Sequence, residues 1–308
     1  MSGKIKNQHY VPQMYLERFT NNDRFSVWDL DRDDIRTRQH PRNYAAKRYF
    51  YDEDKTVLKK HLQEIIELHP ETEDAIEQSD EQFVENYLAR VESDTKIIFD
   101  EIVLDHARLY DHDNQLKLII FLHDLSYRTE KYRDETDGIR QHMIKSLAEM
   151  GISENQVEGL GLPGKESQLY NLLGIAPLLR TSSMLLENYN WYIGTASGAS
   201  RFIISDNPAQ GIYLGFNDIC IPINSEKAII LRNSEPDKPI ILEDVPVGNV
   251  ITLSEKSVIS YNAIQLSYAN RYIFGDRMSI FILKKLCDIR GGYYKLFGDN
   301  LFLKPRKR

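Results

Sequence analysis

The apolar residues of this chain change their period near residue 189, and that change restricts it to a mixed architecture. Upstream, Val84, Leu88, Val91, Thr95, Ile98 and Ile102 recur at alternating spacings of four and three, which puts them on one stripe of a helix. The seam is short for a coiled coil, so it is expected to pack inside a domain. Leu58, Leu62, Ile65 and Ile66 predict an earlier helix ended by Pro70. A third helix is expected over 111–150, with Gly151 placed to cap it, carrying an apolar stripe of Leu116, Ile119, Ile120, His123 and Tyr127. A fourth is expected over 166–188, kinked or divided at Pro177. Ser79-x-x-Gln82 and Ser153-x-x-Gln156 have the form of capping boxes.

Downstream the pattern is that of strands. Residues 189–194 and 201–205 read as adjacent strands joined by a Gly/Ser loop, and 219–223, 227–231 and 247–251 as further ones. Residues 255–272 read as a helix, and 304–308 as a basic tail. The expected fold class is α+β, a helical lobe packed against a mostly antiparallel sheet formed largely by the C-terminal half. We expect one integrated domain over 1–308: an N-terminal arm and strand at 1–56, the helical lobe at 57–188, and the sheet with its C-terminal helix at 189–308. A separate helical domain is the alternative.

Composition narrows the function classes. With 42% hydrophobic and 28% charged residues, a core can form. Two cysteines, Cys220 and Cys287, are too few for a disulfide framework, and no CxxC or Cys/His cluster reads as a zinc site. A reducing cytoplasm is the expected setting. The first ten residues hold no apolar signal region, and no apolar run approaches the ~18 residues that span a bilayer. Charge is uneven: residues 1–50 carry 10 basic against 6 acidic side chains, 51–180 carry 14 against 28, and 181–308 carry 15 against 12. Two basic ends around an acidic middle could hold a polyanion, or the middle is simply a solvated helical face.

The N-terminal stretch is dense in chemistry. Gln8-His9-Tyr10-Val11-Pro12-Gln13 runs on through Tyr15 to Arg18 and Phe19. Pro12 pushes Val11 into an extended conformation, and 14–19 reads as a helical turn with Tyr15 and Phe19 at i,i+4. Asn21-Asn22-Asp23 is a turn, 25–30 a strand, and 32–42 a charged loop. Asn43-Tyr44-Ala45-Ala46-Lys47-Arg48-Tyr49-Phe50-Tyr51 interleaves aromatic and basic residues. That suits base stacking with phosphate contact, and equally a packed aromatic core with Lys47 and Arg48 at its rim. Later, Ser205-Asp206-Asn207-Pro208 follows an apolar strand. A carboxylate beside an amide there either binds a divalent cation or water, or forms an Asx turn. Asp124/Arg128 and Arg133/Asp137 have i,i+4 ion-pair spacing, and Glu85 and Glu92 flank the helical seam.

In order and spacing these patches resemble DUF4238, a bacterial family of unknown function. The likeness covers 8–19, 43–51, 116–133 and 201–272 and rests on His9-Tyr10-Val11-Pro12-Gln13, Asn43 to Tyr51, Tyr127-Arg128-Thr129 with Arg133, Ser205-Asp206-Asn207-Pro208, and Asn262 with Arg271. The chain departs from the family pattern at His123, commonly Gln, and after Ile221-Pro222-Ile223, where Asn-Ser follows. The resemblance implies that Arg128 and Arg133 clamp an anion and that Asp206 and Asn207 belong to a site. Asn262 and Arg271, nine residues apart, would lie about 13 Å apart on a helix and line a groove.

No GxGxxG, GxxxxGK[ST], GxSxG or HExxH is present, and Arg108 to His112 is one residue short of a HEPN-type spacing. Read as a nuclease or other phosphodiester-acting enzyme, in bacterial defence or a toxin pair, the chain would use His9 as general acid/base. Asp206, with Asn207, would hold Mg²⁺ or Mn²⁺ or a water. Tyr10, Gln13, Arg18, Arg128, Arg133, Asn262 and Arg271 would contact RNA or DNA. The alternative is a non-catalytic module binding a nucleotide, nucleic acid or protein, with no membrane role. A third possibility is a homo-oligomer built on the Val84–Ile102 seam.

Overall fold

The computed structural model describes residues 4–78, 81–153, 162–235 and 244–290. The chain starts with strand β1 (Asn7–His9), and Pro12 sets up the short helix α1 (Gln13–Glu17). Tyr15 and Phe19 meet edge to face at 5.7 Å, as their spacing predicts. Asn22 and Asp23, at φ +50° and +58°, form a two-residue turn closed by backbone bonds between Asn21 and Arg24. Asn and Asp tolerate this left-handed conformation better than most residues. The turn feeds β2 (Phe25–Asp29), buried throughout.

The charged loop expected after β2 contains β3 (Asp34–Gln39). It is an edge strand with no buried face, so its sequence shows no alternation to read. A 3-10 turn at Pro41–Asn43 leads into β4 (Ala46–Arg48), which pairs antiparallel with β1, Gln8 facing Lys47. The two N-terminal patches are therefore one ribbon.

Helices α2 (Lys55–His61), α3 (Gln63–Leu68) and α4 (Glu71–Gln78) follow. In α5 (Phe83–Leu104) the seam is buried at Val84, Leu88, Thr95, Ile98 and Ile102. The single helix expected over 111–150 is two. Asp111 caps α6 (His112–Tyr127), and Thr129 accepts the Tyr132 amide to cap α7 (Glu130–Glu149). The buried face of α6 runs through Leu118, Ile119, Leu122 and Leu125, and Leu116 is exposed. Gly151 ends α7 at φ +77°. The next helix divides at Gly174 into α8 (Gly164–Leu173) and α9 (Ile175–Glu187). Pro177 sits in the first turn of α9, where no backbone donor is needed. Each proposed capping box includes a residue outside the described set, as does the tail at 304–308.

The C-terminal half supplies β5 (Tyr189–Ala196), β6 (Ile204–Ser205), α10 (Gln210–Leu214), β7 (Asp218–Pro222), β8 (Lys227–Asn233), β9 (Val250–Leu253), α11 (Glu255–Tyr268), β10 (Tyr272–Gly275) and α12 (Arg277–Arg290). One sheet runs β7-β8-β5-β9, with β9 parallel to β5. Another runs β3-β2-β10-β6, joining N-terminal and C-terminal strands. So β5 and β6 are not adjacent as expected. Side chains of α11 hold the chain around β6 instead: Asn262 bonds Arg201 O at 2.8 Å and Ile203 N at 3.1 Å, and Gln265 accepts the Ser205 amide at 3.0 Å. The helix expected to reach 272 stops at Tyr268.

The result is a mixed α+β fold with mainly antiparallel sheets. One buried cluster extends from Tyr10 through α5 and α6 to Phe274, drawing on all three stretches of the chain. A smaller one packs α12 against Trp28, Ile203 and Ile273. Among the described residues no helix is long and apolar enough to cross a membrane.

Candidate functional site

A cleft of ≈ 650 Å³ lies between the β1–β4 ribbon, the start of α7 and the entry to β10. Its floor is set by Ala45, whose carbonyl accepts the amides of Tyr10 at 2.8 Å and Val11 at 3.4 Å. Ala45 holds φ +51°, a conformation strained for any residue with a side chain. Tyr10 packs its ring 5.8 Å from Phe50, and its hydroxyl makes no hydrogen bond to a described residue. Burial raises the Tyr10 phenol pKa, and the nearby charges of Asp206 and Glu130 raise it further. The half-buried Tyr272 phenol is also raised, chiefly by burial. Both hydroxyls remain donors at neutral pH.

Two ion pairs flank these phenols. Lys47 meets Glu130 at 2.6 Å. Arg271 reaches Asp29 at 3.1 Å and Asp31 at 3.3 Å, and its guanidinium lies 4.8 Å over the Tyr272 ring. Burial works to raise the Asp29 carboxyl, and hydrogen bonding to Arg271 outweighs it, leaving Asp29 below its usual range. Asn43 is exposed on the rim.

Most of the residues expected to form the site stand behind this cleft. Asp206 accepts three consecutive backbone amides: Asn270 at 2.6 Å, Arg271 at 2.8 Å and Tyr272 at 3.1 Å. Asn207 accepts the Thr129 hydroxyl at 3.0 Å and donates to Tyr268 O at 3.1 Å. Ser205-Asp206-Asn207-Pro208 thus grips the corner after α11 and delivers Arg271 and Tyr272 to the cleft wall. Arg271 and Asn262 do not share a helix, and Asn262 serves β6. Arg133 lies 3.7 Å over the Phe50 ring and donates to Phe50 O and to Gln168. Gln168 in turn donates to the carbonyls of Tyr127 and Thr129. Gln13 bonds Glu17 on the outside of α1, and Arg18 joins Ile223 O to Asp100. Of the expected residues, Tyr10 and Arg271 line the cleft.

His9 precedes Tyr10 but does not line the cleft. Its carbonyl accepts Arg128 Nη2 at 2.6 Å, and its Nε2 is buried with no partner among the described residues. Burial, followed by the charge of Arg128, lowers the ring to about 4, against a raising hydrogen bond with the Arg42 backbone. The imidazole is therefore neutral at pH 7. Among the described residues no group of three or more His, Cys, Asp or Glu is arranged to hold a metal ion.

Arg128 organises a buried charge cluster. It is 2% exposed and binds Glu92 at 2.8 Å. Glu85 and Glu92, expected as flank charges, turn inward toward it. One guanidinium cannot neutralise every carboxylate around it, so burial raises Asp124 to about 8 and Glu85 to about 7. The Tyr87 hydroxyl reaches Asp124 at 3.4 Å.

Asn43 and Lys47 sit in the aromatic-basic motif, where their sequence signal was visible. Asp31, Glu130 and Tyr272 carry none: single acids are common on this chain, and the pattern of 255–272 runs Tyr272 into a helix.

A family model described as "Protein of unknown function (DUF4238)" matches residues 7–279, nearly the whole chain. No curated protein and no solved structure matches.

Proposed function

The chain belongs to the DUF4238 family, and on that premise we propose that it binds a nucleotide, or a nucleotide unit of RNA or DNA, in the Tyr10–Arg271 cleft. One observation carries this: the cleft is lined by three tyrosines, Tyr10, Tyr44 and Tyr272, by the exposed Asn43 and by the cations Lys47 and Arg271, in ≈ 650 Å³. Ligand pockets typically enclose about 300–1,000 Å³. An Arg271 plane stacked on Tyr272 offers a base a flat surface, and the cations suit a phosphate. Asn43 can read a base edge. The Lys47–Glu130 pair sits partly exposed, where such pairs contribute about 0–1 kcal/mol, so a phosphate displaces Glu130 at little cost.

Binding without cleavage is the better supported form, because both Asp206 oxygens are occupied by backbone amides. Phosphodiester cleavage, with His9 as general acid/base and Mg²⁺ or Mn²⁺ at Asp206, keeps one observation in its favour. The His9 ring is neutral at pH 7 with an unpartnered Nε2.

The test is titration of the protein with labelled mononucleotides and short RNA and DNA oligomers, beside Lys47→Ala and Asn43→Ala. Saturable binding weakened in both variants, with intact ligand recovered, supports the binding form. Wild-type affinity in both variants removes the cleft from consideration. Product formed with Mg²⁺ or Mn²⁺, and lost in His9→Ala, establishes cleavage instead.

A further inference from the structure

A second cleft, of ≈ 640 Å³, lies at the other end of β10, with Gly275 in its wall where the first cleft has Tyr272. None of the site residues assigned above lines it. Four arginines do: Arg24 from the end of the Asn22-Asp23 turn, Arg38 from β3, Arg201 from the approach to β6, and Arg277 from the start of α12. The one carboxylate in its wall is Asp276. Asp276 Oδ1 caps α12 by accepting the amides of Met278 at 2.8 Å and Ser279 at 3.1 Å, and Oδ2 is buried with no partner among the described residues. Arg201 is partly engaged, donating to Gly198 O at 2.6 Å and approaching Glu226 at 3.8 Å. Arg24, Arg38 and Arg277 make no ion pair and no side-chain hydrogen bond with any described residue.

The backbone at Arg38 adds a second observation. Phe25 pairs with Gln39 and Val27 with Arg36, so Thr37 and Arg38 together face Ser26. This is a β-bulge, a device that bends a strand and re-aims a side chain. Arg38 occupies it at φ +56°, where glycine is the unstrained residue. The chain thus places an arginine at a position that disfavours it, lining a cleft in which Arg24 and Arg277 also have no ion pair among the described residues.

We propose that this cleft is a binding site for a phosphate-bearing ligand, gripped by Arg24, Arg38 and Arg277. Three unpaired forks on three separate segments call for a ligand with several clustered acceptor oxygens. A polyphosphate or a run of phosphodiesters has them, and a lone carboxylate satisfies only one fork. The site is independent of the Tyr10–Arg271 cleft, and either can fail without the other.

The experiment uses the full chain and two probes. Sodium tripolyphosphate is titrated by calorimetry, and a labelled oligothymidine carrying a 5′-phosphate is followed by anisotropy over a range of salt. Arg38→Gly, Arg277→Gln and a control at the exposed Arg90, Arg90→Gln, are measured alongside. Arg38→Gly and Arg277→Gln are expected to weaken tripolyphosphate binding by about tenfold each, since a charge-assisted contact is of that order. Arg90→Gln leaves it unchanged. Arg38→Gly also melts no lower than wild type, because glycine relieves the bulge, so its lost binding is not lost folding. If the oligomer binds more tightly than tripolyphosphate and each substitution lowers its salt slope by about one, the source of the phosphates is a nucleic-acid strand. If it binds no more tightly, the source is a small phosphorylated molecule. Absence of binding by both probes, or wild-type affinity in Arg38→Gly and Arg277→Gln, overturns the proposal.

Discussion

The Asp206 carboxylate binds the backbone amide of Arg271 at 2.8 Å, with the amides of Asn270 and Tyr272 on either side of it. It therefore fixes the chain that carries a cleft residue, and does so without exposing its own oxygens to the cleft. Asp206→Asn keeps the size but turns an acceptor into a donor facing an N–H. A loss of about 2–4 kcal/mol in stability is expected from the lost charge-assisted bonds. Urea unfolding at neutral pH measures it, and an unchanged midpoint would remove Asp206 from the scaffold.

Arg133 separates a clamp from a support. Its guanidinium stacks on Phe50 and bonds Gln168, and an ammonium cannot reproduce that planar contact. Arg133→Lys should lower stability by about 1–2 kcal/mol while leaving nucleotide affinity within twofold. Weakened affinity at unchanged melting temperature would make Arg133 a ligand contact after all.

Tyr272→Phe removes a hydroxyl that makes no hydrogen bond to a described residue and keeps the ring packed against Arg271. Stability should hold within about 0.5 kcal/mol. Ligand affinity should fall about tenfold if the hydroxyl meets the ligand. Equal affinity in the two proteins would confine Tyr272 to packing. Because burial raises the phenol pKa, its contribution should be constant from pH 6 to 8.

The cluster around Arg128 gives the pH dependence of stability a definite sign. Asp124 and Glu85 are raised to about 8 and about 7 by burial. Between pH 6.5 and 8 the folded chain holds protons there that the unfolded chain has released, so stability falls as pH rises. Below pH 6.5 the lowered histidines, His9 and His123, both at about 4, act in the opposite direction and flatten the profile. A decline on the order of 2 kcal/mol from pH 6.5 to 8 is expected. Asp124→Asn should remove most of it, and a decline of the same size in that variant would show that other groups produce it.

Where the sequence could be read correctly, the deciding interactions were local. The seam of α5 depends on residues three and four apart, and the Asn22-Asp23 turn on two adjacent side chains. The break at Arg128-Thr129 was not legible, because Thr129 reads as an ordinary helical residue until Asn207 and Gln168 fix it from elsewhere in the chain. Strand β3 shows no alternation because none of its residues is buried, only Ile35 leaning on the smaller core, and β10 is hidden because Tyr272 continues an apolar helical pattern.

The sequence by itself determined the mixed α+β class and the family. Only the tertiary structure decided which of the motif residues line a cleft and which hold the frame. A polar side chain looks available in a sequence whenever its partners are far away in number. Asp206 meets the Asn270 amide across 64 residues, and Arg128 meets the His9 carbonyl across 119. A buried polar group must be satisfied, so packing assigned these conspicuous residues to the frame. It left Tyr10, Asn43, Lys47 and Arg271 to line one cleft, and Arg24, Arg38 and Arg277 to line the other with no ion pair among the described residues.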